Sequence, residues 1–235
     1  MNAPEIPPTP LSTLSVVIPT LDAGAGLDET LRALGDPALL REIIIADGGS
    51  TDDTMAIATA HGCRIVSTAP GRGRQLAAGA AAARGNWLLF LHGDTRLDGN
   101  WRSAISRHMA DGTMVRCAGV FTLRFAGVSA QARRVAALAN WRTRVFALPY
   151  GDQGLLIGRD FYAATGGFRP LQIMEDVDFV RRIGRSHIAI LEGVAITSQA
   201  RYLKDGWWAR PLKNLGCLAL YFLGVPNAWI ARLYR

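Results

Sequence analysis

The sequence predicts an α/β fold with a mostly parallel sheet covered by helices on both faces. Three observations carry that expectation. The runs at residues 14–18 (LSVVI), 42–46 (EIIIA) and 87–91 (WLLFL) are apolar without alternation, as strands buried on both faces must be. Helically spaced segments lie between them. Two of the runs lead into an aspartate, Asp47 and Asp94, and open α/β sheets bind their ligands at the carboxyl ends of strands.

The elements follow in order. The first strand closes at Pro19. Residues 26–35 put Leu27, Leu31 and Leu34 on one helical face and stop at Gly35. The second strand ends at Asp47. Ser50, with Asp53 three residues on, is expected to cap a helix that reaches about His61 and stops at Gly62. A short strand over 64–66 and an Ala-rich helix over 73–84, ended by Gly85, lead to the fourth strand. Beyond residue 113 the pattern loosens. A strand or hairpin is expected over 114–125, an Arg-rich amphipathic helix over 128–148 and a strand over 155–158. Short helices follow at 160–165 and 175–183, then short strands at 188–190 and 195–198. A loose Pro-rich tail is expected over 1–13, with neither the basic start nor the apolar stretch of a signal peptide.

Charge divides the chain. Of the 235 residues, the first 115 carry 9 basic and 12 acidic side chains, and the remainder 17 and 7. The basic half suits an anionic partner: phosphates, nucleic acid or a lipid surface. Nucleic acid is disfavoured, because no basic-aromatic recognition motif is evident. Cys63, Cys117 and Cys217 have no metal spacing and are odd in number, which points to a reducing compartment such as the cytoplasm.

Several clusters could carry chemistry. In DGGSTDD (47–53), an aspartate, a glycine turn and a helix start could hold a polar ligand, or simply make a good turn. In HGD (92–94), Asp94 follows a buried strand and can hold a divalent cation or cap the next turn. GRGRQ (71–75) sets Arg72 and Arg74 at a helix start, where free backbone N–H groups favour anions. MEDVD (174–178) puts Glu175, Asp176 and Asp178 in a first turn; the helix dipole alone favours acids there, yet a carboxylate within reach of a hydroxyl is a suitable general base. YGDQG (150–154) reads as a turn.

In this order the motifs SVVIPT (15–20), DGGSTDD (47–53), LLFLHGD (88–94), GGF (166–168) and ED (175–176) resemble family 2 glycosyltransferases of the GT-A fold. The likeness covers roughly residues 14–205. GRGRQL, LHGDTRL, YGDQG and MEDVDF are also similar to a small bacterial subfamily of radical-SAM/selenodomain-associated transferases. The resemblance implies one domain over 14–205, with a nucleotide-sugar half (14–115) and an acceptor half (116–205), followed by an apolar and basic helical segment over 206–235. It implies an inverting transfer of one sugar from a nucleoside-diphosphate sugar, UDP by default, to a hydroxyl acceptor, assisted by Mg²⁺ or Mn²⁺. Pro19, Thr20, Asp22, Asp47, Arg72, Arg74, Gly93 and Asp94 would bind the nucleotide. Asp94, with His92, would hold the metal. Asp176, paired with Glu175, would act as base, and Asp152, Gln153 and Arg201 would face sugar or acceptor. His92 stands where the family has the first acid of its Asp-x-Asp motif, which removes a hard oxygen ligand.

Rival readings come from the same residues. Gly24 and Gly26 with Asp47 approach a dinucleotide fingerprint, but Glu29 stands at the third glycine position. His92 also fits a nucleotide-binding protein that does no transfer. Residues 214–231 are uncharged, but Gly224, Pro226 and Asn227 break the run, so a segment lying on a membrane fits better than one crossing it. Packing on the chain's own core or on a second subunit is the other placement. On a membrane, the acceptor would be lipid-linked or amphiphilic.

Overall fold

Strand β1 (Leu14–Thr20) is buried at every residue but Pro19, as a strand covered on both faces demands. β2 (Glu42–Asp47) lies parallel beside it, with Thr20 opposite Asp47. β3 (Arg64–Ser67) pairs parallel beyond β2, and β4 (Trp87–Phe90) pairs parallel on the other side of β1. The crossovers are helices α1 (Gly24–Leu34), α2 (Thr54–Ala60) and α3 (Arg72–Ala82). This computed structural model describes residues 11–234. The tail expected over 1–13 therefore lies outside the described residues for 1–10; Leu11–Thr13 form one 3-10 turn.

The sheet continues past β4 with mixed directions. β5 (Thr95–Leu97), β6 (Ala118–Phe125), β7 (Leu155–Gly158) and β8 (Ile188–Thr197) complete eight strands in the order β3-β2-β1-β4-β7-β6-β8-β5. β7 is antiparallel to both β4 and β6, while β6 and β8 are parallel. Helices α4 (Trp101–Ala110), α5 (Ala130–Phe146), α6 (Arg159–Ala164) and α7 (Glu175–Ile183) cover this part. Side-chain alternation builds a core on each face. Val16, Ile18 and Leu89 pack with Leu27, Leu31 and Trp101 on one side. Val17, Ile44 and Leu88 pack with Leu76, Phe168 and Phe179 on the other.

Three expectations change. The helix after Asp47 begins at Thr54, not at Ser50, because the Ser50 hydroxyl donates to Asp47 Oδ1 at 2.6 Å and so is spent on the strand end. The strands at 188–190 and 195–198 are one strand, β8, with an irregularity opposite Val120 and Thr122. α4 and β5 were not expected at all. The C-terminal segment forms α8 (Ala200–Asp205), α9 (Ala209–Phe222) and α10 (Asn227–Tyr234), broken at Gly224, whose φ is 78°. Cys217, Ile230 and Ala231 pack against Ile173, Met174 and Val177, so one face of this segment belongs to the core. Among the described residues no helix is long and apolar enough to cross a membrane.

Candidate active site

The carboxyl ends of β1, β2 and β4 open into a cleft of about 950 Å³. Pro19, Thr20, Asp22, Gly93 and Asp94 line it. Asp47 sits behind it, 4% exposed. Its Oδ1 accepts from the hydroxyls of Thr20 (2.9 Å) and Ser50 (2.6 Å), and its Oδ2 from the N–H of Gly49 (2.8 Å) and Ser50 (2.9 Å). These bonds occupy the capacity of a carboxylate. Burial alone would raise the Asp47 pKa; the bonds from Ser50, Gly49 and Thr20 outweigh it and hold the group below its ordinary value. Asp47, expected among the nucleotide-binding residues, thus holds the turn with all four of these bonds. Asp22, in the left-handed region at φ 49°, accepts from the Thr51 N–H at 2.8 Å and closes the turn from the other side.

Asp94 and His92 lie on the cleft wall. Gly26 permits this wall: a Cβ there would stand 3.2 Å from Asp94 Cα. Thr30 Oγ1 donates to the Gly93 carbonyl at 3.0 Å and ties the wall to α1. Burial, then the cations of Arg72 and Arg201, keep the His92 pKa well below its usual value, so the imidazole is neutral and able to act as a ligand. Among the described residues no group of three or more His, Cys, Asp or Glu is placed to hold an ion. One carboxylate and one neutral imidazole fit a divalent cation that phosphate oxygens also ligate.

A second cavity of about 110 Å³ adjoins the cleft and shares Arg72, His92, Asp94 and Arg201 with it. Glu175 and Asp176 enter it from the first turn of α7, whose N-cap, Met174, is left-handed at φ 61°. Asp176 Oδ2 accepts from the Gly151 N–H at 2.9 Å. Glu175 is 1% exposed and lies 3.4 Å from Arg72 Nη1. Burial pushes its carboxyl up to about 7; Arg72 opposes the rise and Asp176 adds to it. Asp152 lines the same cavity, its Oδ1 buried without a hydrogen-bond partner. Burial raises it to about 6, against the pull of Arg142.

Two expected site residues are elsewhere. Arg74 is exposed and lines neither cavity, because its helical position turns it away from Arg72. Gln153 is 1% exposed; it donates to the Phe121 carbonyl at 3.0 Å and accepts from Thr143 Oγ1 at 2.7 Å. It is a core bridge and not a sugar ligand. Sequence reasoning missed Gln75, whose Nε2 donates to the carbonyls of Thr20 (2.5 Å) and Ala46 (2.9 Å) and clamps the ends of β1 and β2. A glutamine directly after GRGR at a helix start was the available signal. It also missed Arg210, Asn214 and Tyr234, which reach the second cavity from the C-terminal helices.

A cleft at strand ends, a carboxylate on its wall, and a buried Glu175 beside a half-buried Asp176 beyond it gather polar groups where α/β enzymes keep their chemistry. The chain belongs to glycosyl transferase family 2, whose model matches residues 15–166, well over half of the sequence. It is 36% identical over 93 residues to the glucosyl-3-phosphoglycerate synthase of Mycolicibacterium paratuberculosis, a stretch covering 35% of this chain and 28% of that protein. The same enzyme from Mycobacterium tuberculosis is 34% identical over 93 residues, covering 35% and 29%. The matched stretch is thus less than a third of either relative's length. A crystal structure of the M. tuberculosis enzyme with Mn²⁺, UDP-glucose and phosphoglyceric acid superposes with a TM-score of 0.53 at 26% identity, over 79% of this chain and 70% of that one. Another, with Mn²⁺, UDP-glucose and glycerol 3-phosphate, gives 0.58 at 23% identity over 92% and 81%, a likeness of fold. The chain has the α/β fold of the GT-A glycosyltransferases.

Proposed function

We propose that this protein transfers one sugar from a UDP-sugar to a hydroxyl acceptor, with inversion at the anomeric carbon. The observation that carries this reading is that Asp94 and Asp176 face one cavity, which opens into the large cleft. The nucleotide would lie in the cleft against Pro19, Thr20 and Asp22, and Asp47 would act by holding that floor. Arg72 and Arg201, both on the cleft, would meet the diphosphate. Asp94 with His92 would hold Mg²⁺ or Mn²⁺, which supplies Lewis-acid stabilisation of the departing diphosphate. UDP as the nucleotide and Mn²⁺ as the metal are supported by the ligands of the similar synthase.

The acceptor enters the second cavity. Asp176 takes the proton of its hydroxyl, and the oxygen bonds to the anomeric carbon from the face opposite the diphosphate. The bond from that carbon to the phosphate oxygen breaks, and its electron pair leaves with UDP. The Gly151 N–H fixes the Asp176 carboxylate for this step. Glu175 is held by Arg72 behind it. Asp152, with its buried free oxygen, is suited to a sugar or acceptor hydroxyl.

The test is calorimetric titration with UDP, GDP, CDP and ADP, each with and without Mn²⁺. UDP binding that requires Mn²⁺ and is lost in Asp94→Ala is the expected result. Failure of every nucleotide to bind would overturn the reading and leave a family fold without a donor site.

A further inference from the structure

The C-terminal helices have two faces with different chemistry. Inward, Arg210, Asn214 and Tyr234 line the second cavity, while Cys217 and Ile230 pack on the core. Outward, Leu212, Leu215 and Leu233 are exposed, together with Trp208 (74%), Leu223 (78%) and Trp229 (65%). Single exposed apolar residues are ordinary, but a run of large ones along two consecutive helices marks a contact surface. The charges among them have one sign. Lys204 and Arg232 are exposed on these helices, while half-buried Lys213 turns its ammonium inward, 5.5 Å from the centre of the Tyr234 ring. The one acid among the described residues of α8 to α10, Asp205, is taken by Arg210 at 2.5 Å.

We propose that this outer face lies on an anionic bilayer surface, with the helices in the interfacial plane. Apolar side chains dip below the headgroups, tryptophans sit at that level, and Lys204 and Arg232 meet the lipid phosphates. A crossing helix does not fit, since none among the described residues is long and apolar enough. A second copy fits worse than lipid. A two-fold contact through this patch would bring Lys204 and Arg232 onto a surface of the same sign, with no free acid among the described residues of these helices to answer them. The placement also bears on substrate. The side of the cavity that Arg210, Asn214 and Tyr234 close would then border the bilayer, which suits an amphiphilic acceptor whose hydroxyl lies at the headgroup level. That last step rests on the transferase reading; the surface itself does not.

The experiment is flotation of the full chain with vesicles of phosphatidylcholine alone or with phosphatidylglycerol, at low and high salt. Co-flotation with the anionic vesicles, weakened by salt, is expected. Trp208→Ser/Leu223→Ser/Trp229→Ser, all at exposed positions, should lower the floated fraction at least about tenfold. Lys204→Glu/Arg232→Glu should do so about fivefold per charge. UDP titration of each variant reports the fold and the donor site separately. Protein that stays in the soluble fraction with anionic vesicles overturns the proposal. So does equal flotation with neutral ones, or a dimer in light scattering that the triple variant turns into monomer.

Discussion

The Arg72 guanidinium lies 3.4 Å from the Glu175 carboxylate, joining residues 103 apart in the chain at the seam between the cleft and the second cavity. The ion pair does not cancel the effect of burial, which still pushes Glu175 up to about 7 and Asp152 up to about 6. A carboxyl with a higher pKa folded than unfolded binds a proton that the unfolded chain has released. Its stabilising contribution is complete below the unfolded pKa and is lost as pH rises through the folded value. From these two groups, folding stability should fall between about pH 4 and pH 7. Glu175→Gln should flatten the upper part of that fall, read as urea midpoints across the range. A wild-type midpoint that rises with pH there contradicts the assignment.

Asp176→Asn keeps the shape of the side chain and removes its basicity. Turnover should drop about 10²- to 10⁴-fold, the usual worth of a positioned base. Mn²⁺-dependent UDP binding should be unchanged, because the residue belongs to the second cavity and not to the nucleotide cleft. Equal losses in binding and turnover would place Asp176 in the donor site instead.

Gln75→Ala removes the side-chain donor shared by two strand-end carbonyls, of Ala46 and of Thr20, the latter keeping the Gly48 N–H at 2.9 Å. Each hydrogen bond lost is worth about 0.5–1.5 kcal/mol. Thermal unfolding should show that loss, and UDP affinity should fall with it, since Thr20 also supports Asp47. Normal affinity in a destabilised variant would separate the clamp from the site.

Gly151→Ala puts a methyl group against His92 Nε2. His92 also faces the cleft, so the ring must move within the proposed metal site. The expected outcome is a weaker Mn²⁺ dependence of UDP binding with a modest loss in melting temperature. Unaltered Mn²⁺ titration would show that the imidazole is not a ligand.

The parallel half was legible because burial on both faces writes itself as unbroken apolar runs, as at residues 14–18 and 42–46. Asp94, Glu175 and Asp176 were legible from motif order, and the structure puts all three on one cavity. β8 was not, because Glu192 and Gly193 interrupt its pattern; Glu192 is exposed and pairs with Arg107 at 2.7 Å, which a half-covered strand tolerates. α4 carried a helical spacing in Trp101, Ala104, Ile105, His108 and Met109, all buried, but its polar residues and the short β5 before it hid the start. Ser50 misled because a serine before acids signals a cap equally well when its hydroxyl serves a neighbouring carboxylate. Arg210, Asn214 and Tyr234 could not be foreseen, since only tertiary packing brings the last helices to α7.

The pairing of β5 with β8 sets a schedule for the newborn chain. Thr95 is opposite Thr197, with their hydroxyls 3.2 Å apart, and the Asp94 carbonyl accepts from the Ser198 N–H at 3.0 Å. The strand that anchors Asp94 therefore waits for a partner made 102 residues later. On a ribosome, the first four strands can associate while the Asp94 wall is held only from the α1 side, through Thr30 and the Gly93 carbonyl. A nascent polypeptide halted before residue 197 would carry the Asp47 turn but lack the Ser198 bond to the Asp94 carbonyl. The last tie on the Asp94 wall is thus made only after β8 has been synthesised.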